Sequence, residues 1–503
     1  SGSYNTAVGR TSLKSNTTGE SNTAFGNAAL YKNETGTGNT GVGKNSLYEN
    51  LGSGNSAFGI ASLQMNTTGD NNTAVGKEAL KFNTTGINNT ASGVESLTIN
   101  TTGNYNTAYG AISLHNNIMG SANTAVGEGA SFQNTTGDQN VAIGSGALYS
   151  NQGNHRSTAV GFRAMHNADD RTSGRDTYNT ALGYKAMHGS GTISSNTGQW
   201  NTAIGDQALT SISDGDYNTA LGSSALGTCD IGNYNTAIGA NALLYNLQSN
   251  NTAVGNSAMH FNESGFQNAA LGKDALVNNI SGDGNTAIGF QAMLTNDAGN
   301  DNTAIGYGAD VIQSNLVNAT AIGAKAKVNA SNALVLGGTG DHAVSVGIGT
   351  ETPTGTLDVT GFTNDASIKL INKGSGSAGF EIRTAGPASQ YIDFTHSSTD
   401  DTGSGTPDFM NRIISNTTTF SLPGITINNA TQNVGIGTGS PGTSNLLELS
   451  STSKGLVLPR MTKAQRNAIS SPVAGMVIYQ TDLTPGLRVY NGVNWMRFTE
   501  TVD

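Results

Sequence analysis

The pentapeptide Asn5-Thr6-Ala7-Val8-Gly9 returns, with small variations, past residue 320, and its regular spacing restricts the fold more than any other feature of the chain. Its closing glycines are Gly9, Gly26, Gly43, Gly59, Gly76, Gly93, Gly110, Gly127, Gly144, Gly161, Gly183, Gly205, Gly222, Gly239, Gly255, Gly272, Gly289, Gly306 and Gly323. These nineteen copies are spaced by 17 residues fourteen times, by 16 twice and by 22 twice. A constant period of this size specifies coils stacked along one axis, each supported by its neighbours. The predicted fold is therefore an all-β parallel solenoid of about 19 coils of 17 residues.

One coil, such as 72–86, has room for two short strands and two turns. Side-chain alternation puts Thr73 and Val75 on one face and Asn72, Ala74 and Gly76 on the other. The residue before the glycine is apolar in eighteen copies, with Ser92 the exception, so this column is expected in the core. A second apolar column lies four residues after the glycine, at Leu13, Leu30, Leu80, Leu148, Met165 and Met259 among others, and is expected to complete a thin two-sheet roll. The alanine and glycine face is small enough for another backbone to approach. Because so thin a roll buries little apolar surface per residue, sister chains are expected to pack there. At ~4.8 Å per coil the shaft should be about 85 Å long. The Asn-Thr-Thr-Gly corners at Asn16, Asn66, Asn83, Asn100 and Asn134 suit sharp turns, with side chains that bond nearby backbone and a glycine free to take positive φ. They are also formal N-glycosylation sequons, but their periodic phase favours the turn reading.

With 68 glycines and only 12% charged residues, the chain does not have the composition of an ordinary enzyme. All eight prolines lie at or after Pro353, which places a boundary near residues 340–350. The net charge of -10, with no cluster of Lys and Arg, argues against nucleic acid. Cys229 is the single cysteine and excludes an intrachain disulfide. No apolar run reaches 18 residues, so no membrane insertion by this segment is expected. The opening Ser1-Gly2-Ser3-Tyr4 enters in mid-repeat, and the expectation is an anchor through a missing N-terminal part. No nucleophile elbow, paired-histidine motif or phosphate loop is found, so no enzyme activity, cofactor or metal is predicted.

The blocks at 201–205, 235–239, 285–289 and 302–306 resemble the head repeat of YadA-like trimeric autotransporter adhesins. The nearest copies are Ala319-Thr320-Ala321-Ile322-Gly323 and Asn332-Ala333-Leu334-Val335-Leu336-Gly337, where the step shortens to 14. The resemblance implies a left-handed parallel β-roll that is a homotrimer over about 335 residues. The chain departs from that family in its longer coil, whose extra residues fall in the Asn-Thr-Thr-Gly corner.

Beyond this shaft, 1–338, the expected order is a connector at 339–360, a β module at 361–430, a connector at 431–450 and a tip module at 451–503. The connectors share a motif, Val346-Gly347-Ile348-Gly349-Thr350 with Pro353 and later Leu357-Asp358-Val359, repeated from Val434 to Pro441 with Leu447-Glu448-Leu449. It is similar to linkers of phage tail fibres and trimeric bacterial surface fibres. In the module between them, 367–371, 380–383 and 391–394 alternate as strands. The last segment, with Leu458-Pro459-Arg460-Met461-Thr462 and Tyr490-Asn491-Gly492, is similar to a C-terminal unit of fibre proteins from Bacteroidetes and their phages. A short helix over 463–469 and a hairpin turned at Asn491-Gly492 are predicted in it.

Aromatic residues precede the repeated asparagine at Tyr4, Tyr105, Tyr178, Trp200, Tyr217 and Tyr234. The last four are on consecutive coils and should form a ladder with ~5 Å steps. The two 22-residue coils insert residues near 171–177 and 189–195 beside it. A lateral glycan or partner site there is one reading; rings that only stiffen the roll are the other. His115, His166, His188 and His260 lie five residues after a marker glycine and are read as solvated surface groups rather than metal ligands. In the tip, Tyr490 and Trp495 are candidate receptor contacts, and either could instead be core.

Together these features predict a trimeric extracellular fibre, on a cell surface or a virion, that displays a receptor-binding tip for a cell-surface glycan or protein. The alternative is a purely structural extracellular filament or sheath without a specific receptor.

Overall fold

The computed structural model describes residues 2–191, 196–228, 231–348, 350–353, 356–359, 414–415, 420–421, 425–428, 433–438, 444 and 446–499. The chain divides into two compact units, Ser1–Lys369 and Leu370–Asp503.

In the first unit, twenty three-residue strands, from Thr6–Val8 to Leu334–Leu336, form one parallel sheet. The pentad sets the register without slippage: Thr73 pairs with Thr90, Ala74 with Ala91 and Val75 with Ser92. The 22-residue coils keep it too, since Thr158, Thr180 and Thr202 pair in succession. The described part of their extra residues is therefore looped out beyond the strands. The predicted all-β parallel solenoid is the fold of this unit.

The two faces of the sheet are the reverse of the sequence expectation. Ala74, Ala91 and Ala108 are fully buried, whereas Phe25 is 57% exposed, Val75 41% and Tyr109 62%. The core consists of the pentad alanines, a second alanine column such as Ala29 and Ala79, and the leucine and methionine column of Leu30, Leu80 and Met259. The cause is lack of space. A Cβ placed on Gly41, where other coils carry alanine, would already lie 3.4 Å from Leu30 Cγ and 3.1 Å from Ser46 Oγ. A larger side chain would overpack the coil, so the bulky residue before the glycine turns outward with the threonine. The alanines are thus the lining of each coil and not a seam between chains.

The opposite wall is also not a second strand in most coils. Its residues two and four places after the glycine are left-handed, as at Glu78 (φ 59°) and Leu80 (φ 51°). Each such residue costs roughly 1–2 kcal/mol, and inter-coil hydrogen bonds offset this. Leu80 N donates to Ser96 O at 3.0 Å and Phe82 N to Thr98 O at 3.0 Å. Among the described residues, this wall has extended pairing only between Asp310–Val311 and Lys327–Val328. The marker glycine is obligatory because Gly76 has φ 134°, and a Cβ there would sit 2.4 Å from Gly93 O.

Asparagines close the remaining sides. Asn89 N donates to Asn72 Oδ1 at 3.0 Å, and Asn72 Nδ2 to Gly86 O at 2.8 Å. At the corner, Asn83 Nδ2 donates to Asn66 Oδ1 at 2.6 Å and to Gly86 O at 2.9 Å. Asn66, Asn83, Asn100 and Asn134 have no solvent-exposed surface, so the sequons act as buried turns in the folded coil.

Both copies of the connector motif form parallel pairs with matching register. Val346–Ile348 pairs with Leu357–Val359 in the first unit, and Asn433–Ile436 with Leu447–Leu449 in the second. The second unit also contains antiparallel pairs, Ile414–Ser415 with Phe420–Ser421 and Ile425–Asn428 with Asn433–Ile436. The strands expected at 367–371, 380–383 and 391–394, Cys229, and 192–195 of the second insert lie outside the described residues. The C-terminal segment folds into the helix Lys463–Asn467 and a sheet of Arg460–Met461, Val477–Gln480, Gly486–Tyr490 and Trp495–Arg497, in that order. Thr462 and Gln465 form a capping box that starts the helix. Asn491 Oδ1 accepts from Val493 N and Asn494 N at 3.0 and 2.7 Å, holding the predicted hairpin turn.

Candidate functional site

The aromatic residues at the corner before each strand form a ladder. Tyr178, Trp200, Tyr217 and Tyr234 each have φ between 51° and 58°, which projects their rings from the corner before each strand. Successive ring centroids are 3.9, 6.0 and 5.1 Å apart, with planes within 17° of parallel. The ring faces are therefore turned toward one another, and solvent meets mainly edges. A sugar stacking on an aromatic residue needs a free face, and in this ladder such a face exists only at an end. At one end Arg156 lies over Tyr178, 5.4 Å from its centroid, and pairs with Asp176 at 2.8 Å. At the other end Tyr234 is 60% exposed, and the next coil carries Asn250 at this phase.

A second stack was missed by the sequence reading. His115, Phe132, Tyr149, His166 and His188 stack with centroid spacings of 5.3, 5.1, 5.0 and 5.5 Å. All five lie five residues after a marker glycine. The histidines mark that phase in the sequence, and extending it to Phe132 and Tyr149 reveals the stack. The histidines are thus rungs of a ring column rather than simple solvated groups. Burial lowers the pKa of both His166 and His188, against a raising effect from the backbone oxygens of Gly146 and Gly189 respectively. His260 instead meets Phe261 edge-on at 4.4 Å. Among the described residues no group of three or more His, Cys, Asp or Glu could hold a metal ion.

The first inserted coil interrupts the corner asparagine ladder, placing Ala168 where the partner of Asn151 would stand. Asn151 Oδ1 is left without a partner, as is Asn154 Oδ1, and both residues border a cavity of about 30 Å³. Beside it the buried Asp169 carboxylate is held by Arg171 Nε at 2.9 and 2.8 Å, with Arg175 3.5 Å away.

The tip module has two unlike faces. Strand pairing puts Ile478, Gln480, Gly486, Arg488, Tyr490, Trp495 and Arg497 on one face, which also carries the helix. Val477, Tyr479, Leu487, Val489 and Met496 are on the other. Tyr490 and Trp495 are half-buried neighbours, their centroids 5.2 Å apart, and Arg466 from the helix lies 5.9 Å from the Trp495 ring. Sequence reasoning passed over Arg466, Arg488 and Arg497; pairing the alternation of 486–490 with that of 495–497 would have brought the last two together. From residue 446 onward only Ile478 is a fully buried apolar side chain among the described residues. Leu456, Val457, Leu483, Met496 and Phe498 are each more than half exposed. A single copy of this module thus leaves most of its apolar surface in water.

Among the described residues, no helix is long and apolar enough to cross a membrane. No curated protein and no solved structure was found to match the chain. Residues 435–503 match a family described as a phage tail like trimerisation region, which supports a phage-tail-like trimeric fibre module at this end of the chain.

Proposed function

We propose that the chain is one of three identical strands of an extracellular attachment fibre, borne by a virion or a cell surface, whose C-terminal module contacts the receptor. The observation that carries this reading is the tip sheet, whose apolar face of Val477, Tyr479, Leu487, Val489 and Met496 lies within a segment matching a trimerisation region. Three copies meeting through that face would supply the core that one copy lacks.

The shaft is consistent with the same arrangement. Its outward column continues from coil to coil, and Val8, Phe25, Phe58, Val75, Ile143, Leu182, Leu221, Leu271 and Ile288 in it are 38–57% exposed. In this reading sister chains pack along that threonine and apolar face, in place of the alanine face expected from the sequence. The YadA-like adhesin resemblance belongs here as support for such a packed roll, and catalysis plays no part in the reading.

The test is saturable attachment of labelled full-length chain to a panel of bacterial and eukaryotic cells. Saturable binding to some cells and not others is expected. Absence of binding everywhere, with continuous polymers in electron micrographs, would replace this reading with a structural filament.

A further inference from the structure

We propose that the helix-bearing face of the tip sheet is an oxyanion site, formed by Arg488 and Arg497 over Gly486 with Arg466 beside them, and that it binds the sulfate or carboxylate groups of an acidic polysaccharide. The biological setting rests on the attachment reading above; the chemistry of the site does not.

The site is built from strand register. Arg488 pairs directly with Arg497 across antiparallel strands, an arrangement of like charges that weakens a sheet unless something compensates it. The structure provides no such compensation: among the described residues no carboxylate lies within 4.0 Å of Arg466, Arg488 or Arg497. Arg488 is only 4% exposed, so its uncompensated charge is costly.

The polar neighbours hold the guanidinium groups in place without neutralising them. Arg488 Nη2 donates to Thr484 O and Oγ1 at 2.6 and 2.9 Å, and Nη1 to Leu487 O at 3.3 Å. Arg466 Nη1 donates to the buried Gln480 Oε1 at 2.7 Å, and its Nε and Nη2 to Asn467 Oδ1 at 3.1 and 2.9 Å. Among the described residues Arg497 makes one long hydrogen bond, Nη2 to Pro485 O at 3.5 Å, which leaves most of its donors free. Gly486 makes the notch between them. A Cβ built there would stand 3.5 Å from Arg488 Nη1 and 3.7 Å from Arg497 Nε, so both guanidinium groups border one small space that the missing side chain leaves open.

Planar guanidinium forks match the oxygens of carboxylate and sulfate. Burial, and then the charges of Arg497 and Arg466, lower the pKa of Arg488, consistent with a cationic cluster awaiting an anion. The opposite face of the sheet is the apolar one assigned to trimer packing, which leaves the arginine face directed outward. A ligand from outside the trimer can therefore reach it.

The experiment uses the full-length trimer and three immobilised probes: dextran sulfate, polygalacturonate and neutral dextran. Binding to one or both polyanions, weakening with salt, and none to neutral dextran is the expected result. R497Q and R466Q, at exposed or half-exposed positions, should each lower polyanion affinity roughly tenfold, while K454Q on the same module should not. The sulfate and uronate arms identify the anion. Equal binding to neutral dextran, or equal affinities for R497Q and K454Q, would overturn the site. So would a wild-type chain that binds no polyanion while R497Q loosens the trimer, which would assign the arginines to a sister subunit's carboxylate. If R497Q binds the polyanions and attaches to cells as wild type does, the site falls and attachment stands. If wild type discriminates among polyanions but attaches to no cell, attachment falls and the site stands.

Discussion

Asn83 Nδ2 donates to Asn66 Oδ1, one coil away, at 2.6 Å, and both side chains are sealed from solvent. The bond is one rung of a ladder: Asn100 Nδ2 donates in turn to Asn83 Oδ1 at 2.7 Å. The ladder has a direction, so an asparagine whose successor is missing keeps an idle carbonyl oxygen, as Asn151 and Asn296 do. It ties each corner to the next along an axis where apolar area per coil is small.

Replacing Asn83 with alanine strands Asn66 Oδ1 and one Nδ2 hydrogen of Asn100, while Gly86 O keeps its bond from Asn72 Nδ2. Buried polar groups without partners cost ~1–3 kcal/mol each, so Asn83→Ala should destabilise the shaft by about 2–5 kcal/mol. Denaturant unfolding of the full chain measures it; a loss below about 0.5 kcal/mol would show that the rung is not structural.

Ala74 and Val75 are adjacent in sequence and lie on opposite sides of the sheet, one fully buried and the other 41% exposed. Ala74→Val should therefore cost about 1–3 kcal/mol through overpacking, while Val75→Thr should change intrinsic coil stability by less than about 0.5 kcal/mol. Melting temperatures of the two variants compared at one protein concentration decide the matter. The opposite ranking would restore the sequence assignment of the faces.

The stacked rings of His166 and His188 should make the shaft acid-sensitive. Burial lowers both pKa values, so the folded chain holds these protons less tightly than the unfolded chain. Stability from the neutral rings is full above the unfolded value near 6.5 and is lost as pH falls through the depressed folded value. The double variant His166→Phe, His188→Phe should flatten the fall in unfolding midpoint between pH 7 and pH 5. An unchanged pH slope would contradict this.

Trp200→Ala removes a ring whose two faces meet Tyr178 and Tyr217, and about 1 kcal/mol of stacking should go with each lost contact. Attachment by the folded trimer should persist, because the ladder mainly offers edges to a ligand. Loss of cell binding without loss of melting temperature would move the receptor site to the shaft.

The period, the parallel stacking, the Asn-Thr-Thr-Gly corners and the Asn491-Gly492 hairpin were all legible in the sequence, because each depends on spacing or on local backbone chemistry. The sidedness of the sheet was not. A strand as short as Thr73–Val75 alternates, but alternation does not say which side is inside, and the larger Val75 was assigned to the core in place of Ala74. What decides is the distance to the opposite wall, set by left-handed residues such as Glu78 and Leu80 whose φ is not readable from their type. The arginine notch escaped for a related reason: Arg488 and Arg497 meet only once the register of two strands is known.

The most direct measurement is the mass of the full chain in solution by light scattering, at low concentration and in moderate salt. A single species of three times the 51.3 kDa chain is predicted, dissociating only as the β structure unfolds. A stable, folded species of 51.3 kDa, with the tip's apolar face and the shaft's outward column both open to water, would contradict the account.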